Sequence, residues 1–418
     1  MPSESAIINR PESFTPKVEP KTRVLFLNTR SGLGADVMVH MTLIQNFDPE
    51  QVEVHVATNR NSRDLQPTLD ILYSVPGLRA RTLVLDLGNE VSRTSGGKLG
   101  KLVGALRNLT VLPALARVAA YIKRHKIDII HSTDRPRDAL FASLLARMTG
   151  CRNVMHVHIK WDSGIGRAAR WAVGQCAGVI AISDYTRQSI LAAGIDGRKV
   201  YTCLNSSDAR RFDPDKAAPG LLREQFQIDP CAPLIGLVAR IMMWKGHLEL
   251  VEAFSLVKKE IPEAVLVIVG LEDRFTADLP DSFGAKVRAR IVELNLQESI
   301  FWAGWHDDMP RVMRDLDLLC VPSWEEPFGL VCTEAMAMRR PVVGFHAGGL
   351  PEILTDGVEG RLVPPRDTTL LADALIQLTK DPALRTVMGA KGRDRVCTYF
   401  SPRRQADEMA DIYRKIRS

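Results

Sequence analysis

The stretch SWEEPFGLVCTEAMAMRRPVVGFHAGGLPEIL, Ser323 to Leu354, decides how this chain folds. LVCTEAMAM is apolar and helix-favouring. PVVGFH is a short apolar run that stops at Gly348-Gly349, and Pro351 then stands near the first turn of another helix. Helix, strand, glycine turn and helix form the repeating unit of a parallel sheet with covering helices. The same stretch sets two carboxylates, Glu326 and Glu334, eight positions apart across a Pro-Phe-Gly loop. Acids placed beside bare backbone suggest a polar ligand that both could touch.

The alternation extends in both directions. Upstream, RVLFLN (23–28), VEVHVA (52–57), RTLVLDL (81–87), IDIIHS (127–132), NVMHVHI (153–159), GVIAIS (178–183) and KVYTCLN (199–205) are short apolar runs, most of them separated by helical patterns. Residues 206–232, rich in Asp and Pro, break the rhythm and read as a linker. It resumes with PLIGLVA (233–239), AVLVIVG (264–270), SIFWAG (299–304), DLLCVPS (317–323), PVVGFH (341–346) and GRLVPP (360–365). The expected class is α/β, with two Rossmann-like doubly wound domains, 23–205 and 233–400, facing a central cleft. Residues 401–418 form a closing helix, with Ser401 as N-cap and Pro402 at its first position. Residues 1–22 lack the apolar core of a signal peptide and read as a disordered arm.

Composition narrows the function. Hydrophobic residues make up 45% and charged residues 25% of the 418, as in an ordinary globular protein able to bury a large core. No apolar run is long enough to span a membrane. Seven isolated cysteines without a CxxC pair argue for a reducing cytoplasm and against a disulfide frame or zinc motif. A net charge of +6 is no nucleic-acid signal by itself.

In open α/β sheets, ligands sit beyond the carboxyl ends of the strands. Arg240 ends one such strand and Lys245 follows five residues later, two cations suited to a diphosphate. The amides of Phe328, Gly329 and Leu330 lie near a helix start and could donate to ligand oxygens. Glu326 before that helix and Glu334 inside it could accept from hydroxyls in different parts of one ligand. Solvated surface acids and cations are the plain alternative. In the first domain, Gly32 and Gly34 form a glycine turn between strand and helix, but Val37 stands where a dinucleotide fingerprint needs its third glycine. His156 and His158, at strand spacing, point the same way, so one could reach the cleft or both could be structural. His131 reads as structural and Asp134 as a cap for the next helix. Asp315/Asp317 and Asp213/Asp215 also read as structural, so neither a metal site nor a cofactor is expected.

Taken in order, Arg240 with Lys245-Gly246, Glu326-Pro-Phe-Gly with Glu334, and Gly348-Gly349-x-Pro-Glu resemble the retaining family 4 glycosyltransferases of the GT-B fold. The resemblance covers the chain after about residue 22 and is strongest over 236–354. It implies a hexosyl transfer from a nucleotide-diphosphate sugar, on UDP or GDP, to a glycan or lipid-linked acceptor, without a metal. It also implies residue roles. Arg240 and Lys245 would hold the diphosphate, and Glu334 the ribose. Glu326 with the amides of 328–330 would hold the sugar. Gly32 and Gly34 would face the diphosphate and acceptor. His158, with His156 as runner-up, would match the strand-end histidine near the sugar. The closing helix would cross back onto the first domain. Two departures stand out: the loop Ser-Gly-Leu-Gly lacks a Gly-Gly pair, and NSSD (205–208) replaces the usual Asn-Gly-x-Asp.

A GT-B sugar-nucleotide epimerase or hydrolase, and a non-enzymatic nucleotide-binding protein, are the alternative functions. Residues 91–126 carry eight Lys/Arg and no Asp/Glu, interleaved with apolar residues at helical spacing. That pattern suits peripheral contact with an anionic membrane at its cytoplasmic face, or a packed helix with a solvated basic side.

Overall fold

All thirteen expected strands form in the computed structural model, whose described residues are 20–30, 32, 34–88, 111–162, 167–272 and 281–418. Strands β1 (Thr22–Asn28), β2 (Val52–Asn59), β3 (Thr82–Leu85), β4 (Ile129–Thr133), β5 (Arg152–Val157), β6 (Gly178–Ala181) and β7 (Val200–Thr202) make one parallel sheet in the order β3-β2-β1-β4-β5-β6-β7. A second parallel sheet, β10-β9-β8-β11-β12-β13, is built from β8 (Leu234–Val238), β9 (Val265–Val269), β10 (Ile300–Gly304), β11 (Leu318–Val321), β12 (Val342–Phe345) and β13 (Gly360–Val363). Most of the arm expected over 1–22 lies outside the described residues. Its last residue, Thr22, already pairs with Val52 as the start of β1.

The strands read as continuous apolar runs because both faces of each sheet are covered. In β1, Val24 and Phe26 face a core shared with helix Ala35–Asn46 and the closing helix Pro402–Arg417. Leu25 and Leu27 face another, shared with helices Val111–His125 and Pro136–Thr149. In β8, Ile235 and Leu237 pack with helices His247–Glu260 and Thr368–Lys380.

The closing helix does cross back. Ser401 caps it by accepting from the Arg404 amide. Met409, Ile412, Tyr413 and Ile416 are buried in the first domain's core. At roughly 1.5–3 kcal/mol for each fully buried large apolar side chain, they anchor the helix firmly. The segment 206–232 is more than a connector. Phe212, Leu222, Ile228 and Ala232 belong to the second domain's core, and Asp315 accepts from the amides of Gly220, Leu222 and Arg223. Asp317 pairs with Arg223 and Arg385, Asp213 with Lys216 and Arg393, and Asp215 with Arg339. All four acids thus have structural partners.

The basic segment is described only from residue 111. There, helix Val111–His125 buries Val111, Ala114, Leu115, Val118, Ala119 and Ile122 against the first sheet. Its apolar stripe is therefore not available for insertion into a bilayer, and Arg117, Lys123, Arg124 and Lys126 stand on the exposed side. Residues 91–110 lie outside the described residues.

Candidate active site

Each sheet reverses its winding at one point, between β1 and β4 in the first and between β8 and β11 in the second. A crevice opens at the carboxyl ends of such a pair. The candidate residues lie there: Gly32 and Gly34 after β1, His158 one residue past β5, Arg240 and Lys245 after β8, and Glu326 after β11.

In the second domain, Arg240 is exposed. Lys245 closes a short 3-10 turn, Met243–Lys245, and its Nζ lies 2.5 Å from Glu326 Oε2. Glu326 is 8% exposed, so this pair sits largely out of water. The two loops are fitted to each other by backbone. Gly246 has φ +72°, and a Cβ there would lie 1.9 Å from the Pro322 carbonyl oxygen. Trp324 N donates to Trp244 O at 2.9 Å. Gly348, at φ +61°, lies under Glu326, where a Cβ would come within 2.3 Å of the Glu326 carbonyl oxygen. Gly349 N donates to that same oxygen at 2.7 Å. The glycine pair therefore supports the Glu326 loop.

Helix Leu330–Ala337 starts directly after this loop. Phe328 is buried against Phe400, which fixes the loop from below. Among the described residues no acceptor takes the amides of Phe328, Gly329 or Leu330. Glu334 lies within the helix, and burial raises its carboxyl to about 7, with Arg211 pulling the other way.

In the first domain, Gly34 precedes helix Ala35–Asn46 with no side-chain cap. His156 and His158 do point the same way, their ring centres 4.3 Å apart. His158 N donates to Asp134 Oδ2 at 3.2 Å. This corrects the expected role of Asp134: helix Pro136–Thr149 has Arg135 at its N-cap position without a side-chain cap, and Asp134 instead holds the chain at His158. Burial lowers the His158 imidazole to about 4, so it is neutral at ordinary pH. His131 is buried and bonded to Tyr413 Oη at 2.6 Å, in keeping with a structural role.

Several residues across the cleft escape sequence reasoning. Ser183 Oγ donates to Pro327 O at 2.5 Å. Glu352 accepts from the amides of Asp184 and Tyr185 at 2.7 and 2.9 Å, capping a helix of the other domain. Glu325 accepts from Tyr185 Oη at 3.1 Å and pairs with Lys160 at 2.9 Å. Glu352 belongs to the Gly-Gly-x-Pro-Glu run. Its partners lie 168 and 167 residues earlier, and no local signal connects them.

Two doubly wound parallel sheets, a crevice at their strand ends and a closing helix returning to the first domain define the GT-B class. The description "Glycosyltransferase Family 4" matches residues 37–211 and "Glycosyl transferases group 1" matches residues 221–395. The chain belongs to the family 4 glycosyltransferases. Among its relatives, N-acetyl-alpha-D-glucosaminyl L-malate synthase of Bacillus anthracis is 26% identical over 72% of this chain and 78% of its own. Alpha-D-kanosaminyltransferase of Streptomyces kanamyceticus is 29% identical over 66% and 74%. Among solved structures, Anabaena HepE in complex with UDP superposes with a TM-score of 0.73 at 20% identity, covering 93% of this chain and 99% of that one. Sucrose-phosphate synthase of Thermosynechococcus elongatus gives 0.70 at 22%, covering 94% and 99%. At these identities the superpositions speak to the fold. No helix among the described residues is long and apolar enough to cross a membrane.

Proposed function

We propose that this chain is a metal-independent, retaining hexosyltransferase that takes its sugar from a nucleotide diphosphate, and that its acceptor is a lipid-linked saccharide. The Lys245–Glu326 pair carries this reading. A lysine and a carboxylate held together at the switch point, beside three amides that have no acceptor among the described residues, can separate around a sugar diphosphate: cation to phosphate, carboxylate to sugar hydroxyls. UDP is the first nucleotide to test, because HepE has been solved with UDP and with UDP-glucose.

Arg240 and Lys245 would stabilise charge on the departing diphosphate, the work a metal ion does elsewhere. Glu334 would accept from the ribose hydroxyls. Gly32 and Gly34 would bring backbone close to the diphosphate and acceptor. Glu326 would be committed to sugar hydroxyls and Glu334 to the ribose, so neither would serve as base on the opposite face or as nucleophile. The acceptor would then attack on the leaving-group face. A diphosphate oxygen would take its proton, and neutral His158 would assist through a hydrogen bond. The acceptor assignment rests on the basic residues of 91–126, each able to contribute about 1 kcal/mol at an anionic surface.

A panel of sugar nucleotides tests the reading, first by thermal shift and then by turnover with and without EDTA. NMR of the product follows the anomeric configuration. Turnover that EDTA abolishes and magnesium or manganese restores would refute metal independence. An inverted product would refute the same-face mechanism. Release of free sugar with no acceptor requirement would favour a hydrolase or epimerase, and binding without turnover a nucleotide-binding protein.

A further inference from the structure

We propose that His40, His156 and His158 form a binding site for one divalent transition-metal ion of the zinc type, an occupant that would close the first domain's side of the cleft. The three residues come from helix Ala35–Asn46, from β5 and from the turn just past it. One ring nitrogen of each lies within 4.8 Å of the others. A tetrahedral zinc site with bonds of about 2.0–2.1 Å places its ligand nitrogens roughly 3.3 Å apart. Modest ring rotations cover the difference, and the ring centres are 4.3, 5.4 and 5.5 Å apart.

Two independent features mark these rings as ligands rather than mere packing. His156 is fully buried, and its Nε2 has no hydrogen-bond partner; the same holds for the buried Nε2 of His158. A buried imidazole nitrogen without a partner forfeits its hydration, a cost that a metal bond would remove.

The second feature is His131 behind them. Its Nε2 lies 3.2 Å from His40 Nε2 and 3.3 Å from His156 Nδ1, while its Nδ1 lies 2.6 Å from Tyr413 Oη. In one tautomer set, His131 Nδ1–H donates to Tyr413, and the N–H groups of His40 and His156 share the single lone pair of His131 Nε2. That leaves lone pairs on His40 Nδ1 and His156 Nε2 for a cation. A ligand histidine whose other N–H is held by an outer acceptor is the usual arrangement around metals. Asp36 supplies nearby negative charge, although Arg30 and Arg135 share it.

Three imidazoles leave a fourth position open. A filled site would take the lone pair of His158, so the ion would act as an inhibitor of the transferase proposed above, and EDTA would protect activity. The binding claim itself stands apart from that reading.

The experiment uses the full chain, stripped with EDTA and titrated with Co²⁺. One ion per chain is expected, with the visible bands of tetrahedral nitrogen ligation, no sulfur charge-transfer band, and displacement by Zn²⁺. X-ray absorption on the zinc-loaded wild type should count three imidazoles, one light oxygen or nitrogen donor in the open position, and no sulfur. His40→Gln and His156→Gln should abolish the bands. His131→Phe, which removes the outer acceptor, should weaken binding by about 10–100-fold. Thermal melts of each variant separate lost ligation from lost fold, and the wild-type absorption spectrum needs no variant. Failure of the wild type to bind, thiolate ligation, or unchanged affinity in folded His156→Gln would overturn the site. Zinc bound without loss of turnover would uphold it and remove His158 from the transfer mechanism.

Discussion

Replacing Gly348 by alanine tests whether the glycine pair positions Glu326. The backbone there has φ +61°, and the added Cβ would sit 2.3 Å from the Glu326 carbonyl oxygen and 2.6 Å from its nitrogen. Two costs follow. A residue with a Cβ in the left-handed region is disfavoured by roughly 1–2 kcal/mol. The overlap also forces the Glu326 backbone back by roughly 1 Å to regain a carbon contact of about 3.5 Å. A displacement of that size at a positioning group costs about 100-fold in rate, or about 2.7 kcal/mol in the barrier.

Gly357→Ala is the control. Its φ is +75°, but nothing lies within 4 Å of the added Cβ, so it bears the conformational cost alone. Both variants should melt lower than the wild type, and only Gly348→Ala should lose turnover. Nucleotide affinity, measured by calorimetry with UDP, should stay close to wild type in both. If Gly348→Ala turned over like Gly357→Ala, or lost nucleotide affinity as steeply as turnover, the glycine pair would not be positioning Glu326 at the sugar.

Glu326→Gln keeps the shape but loses the charge that pairs with Lys245 at 2.5 Å. Turnover should fall by roughly 100-fold with nucleotide binding nearly intact, and a trapped glycosyl adduct on Glu326 would instead show double displacement. Glu334 has its carboxyl raised from 4.5 to about 7 by burial, so the native state holds its proton more tightly than the unfolded chain. Stability from this group is therefore present below 4.5 and falls as pH rises toward 7. Glu334→Gln should flatten that slope in melts across the range. In the role proposed for Glu334, the ionised form accepts more strongly from the ribose hydroxyls, so UDP affinity should weaken below about pH 7 in the wild type and lose that dependence in the variant. Acidic liposomes should float with the chain at low salt and release it at high salt. Absence of co-flotation at low salt would leave the basic side of helix Val111–His125 as a solvated face.

How much of this was legible in the sequence differs from residue to residue. The strands were legible because a strand covered on both faces must be apolar throughout, and LIGLV or VLVIV announces that locally. Arg240, Lys245, Glu326 and the glycine pair were legible because a glycine turn or a Pro-Phe-Gly loop marks a strand end, and strand ends line the crevice. The ambiguity of 111–126 was not resolvable locally. The spacing that would lay a helix on a membrane also lays it on a sheet, and only the partner surface, Leu25, Leu27 and Ile130, decides between them. Asp134 illustrates the same limit. Beside Pro136 it reads as a cap, yet its carboxylate accepts from the His158 amide just past a neighbouring strand. The histidine cluster was half visible, as two rings at strand spacing. His40 joins from a helix more than a hundred residues earlier, and Tyr413 from the far end of the chain orders them through His131. Sequence alone determined which elements form and which end of each bears chemistry, because those depend on period, turn residues and charge within a few residues. Tertiary structure decided which ends meet, since pairings such as Glu352 with Asp184 or Tyr413 with His131 arise only when separate elements pack against one another.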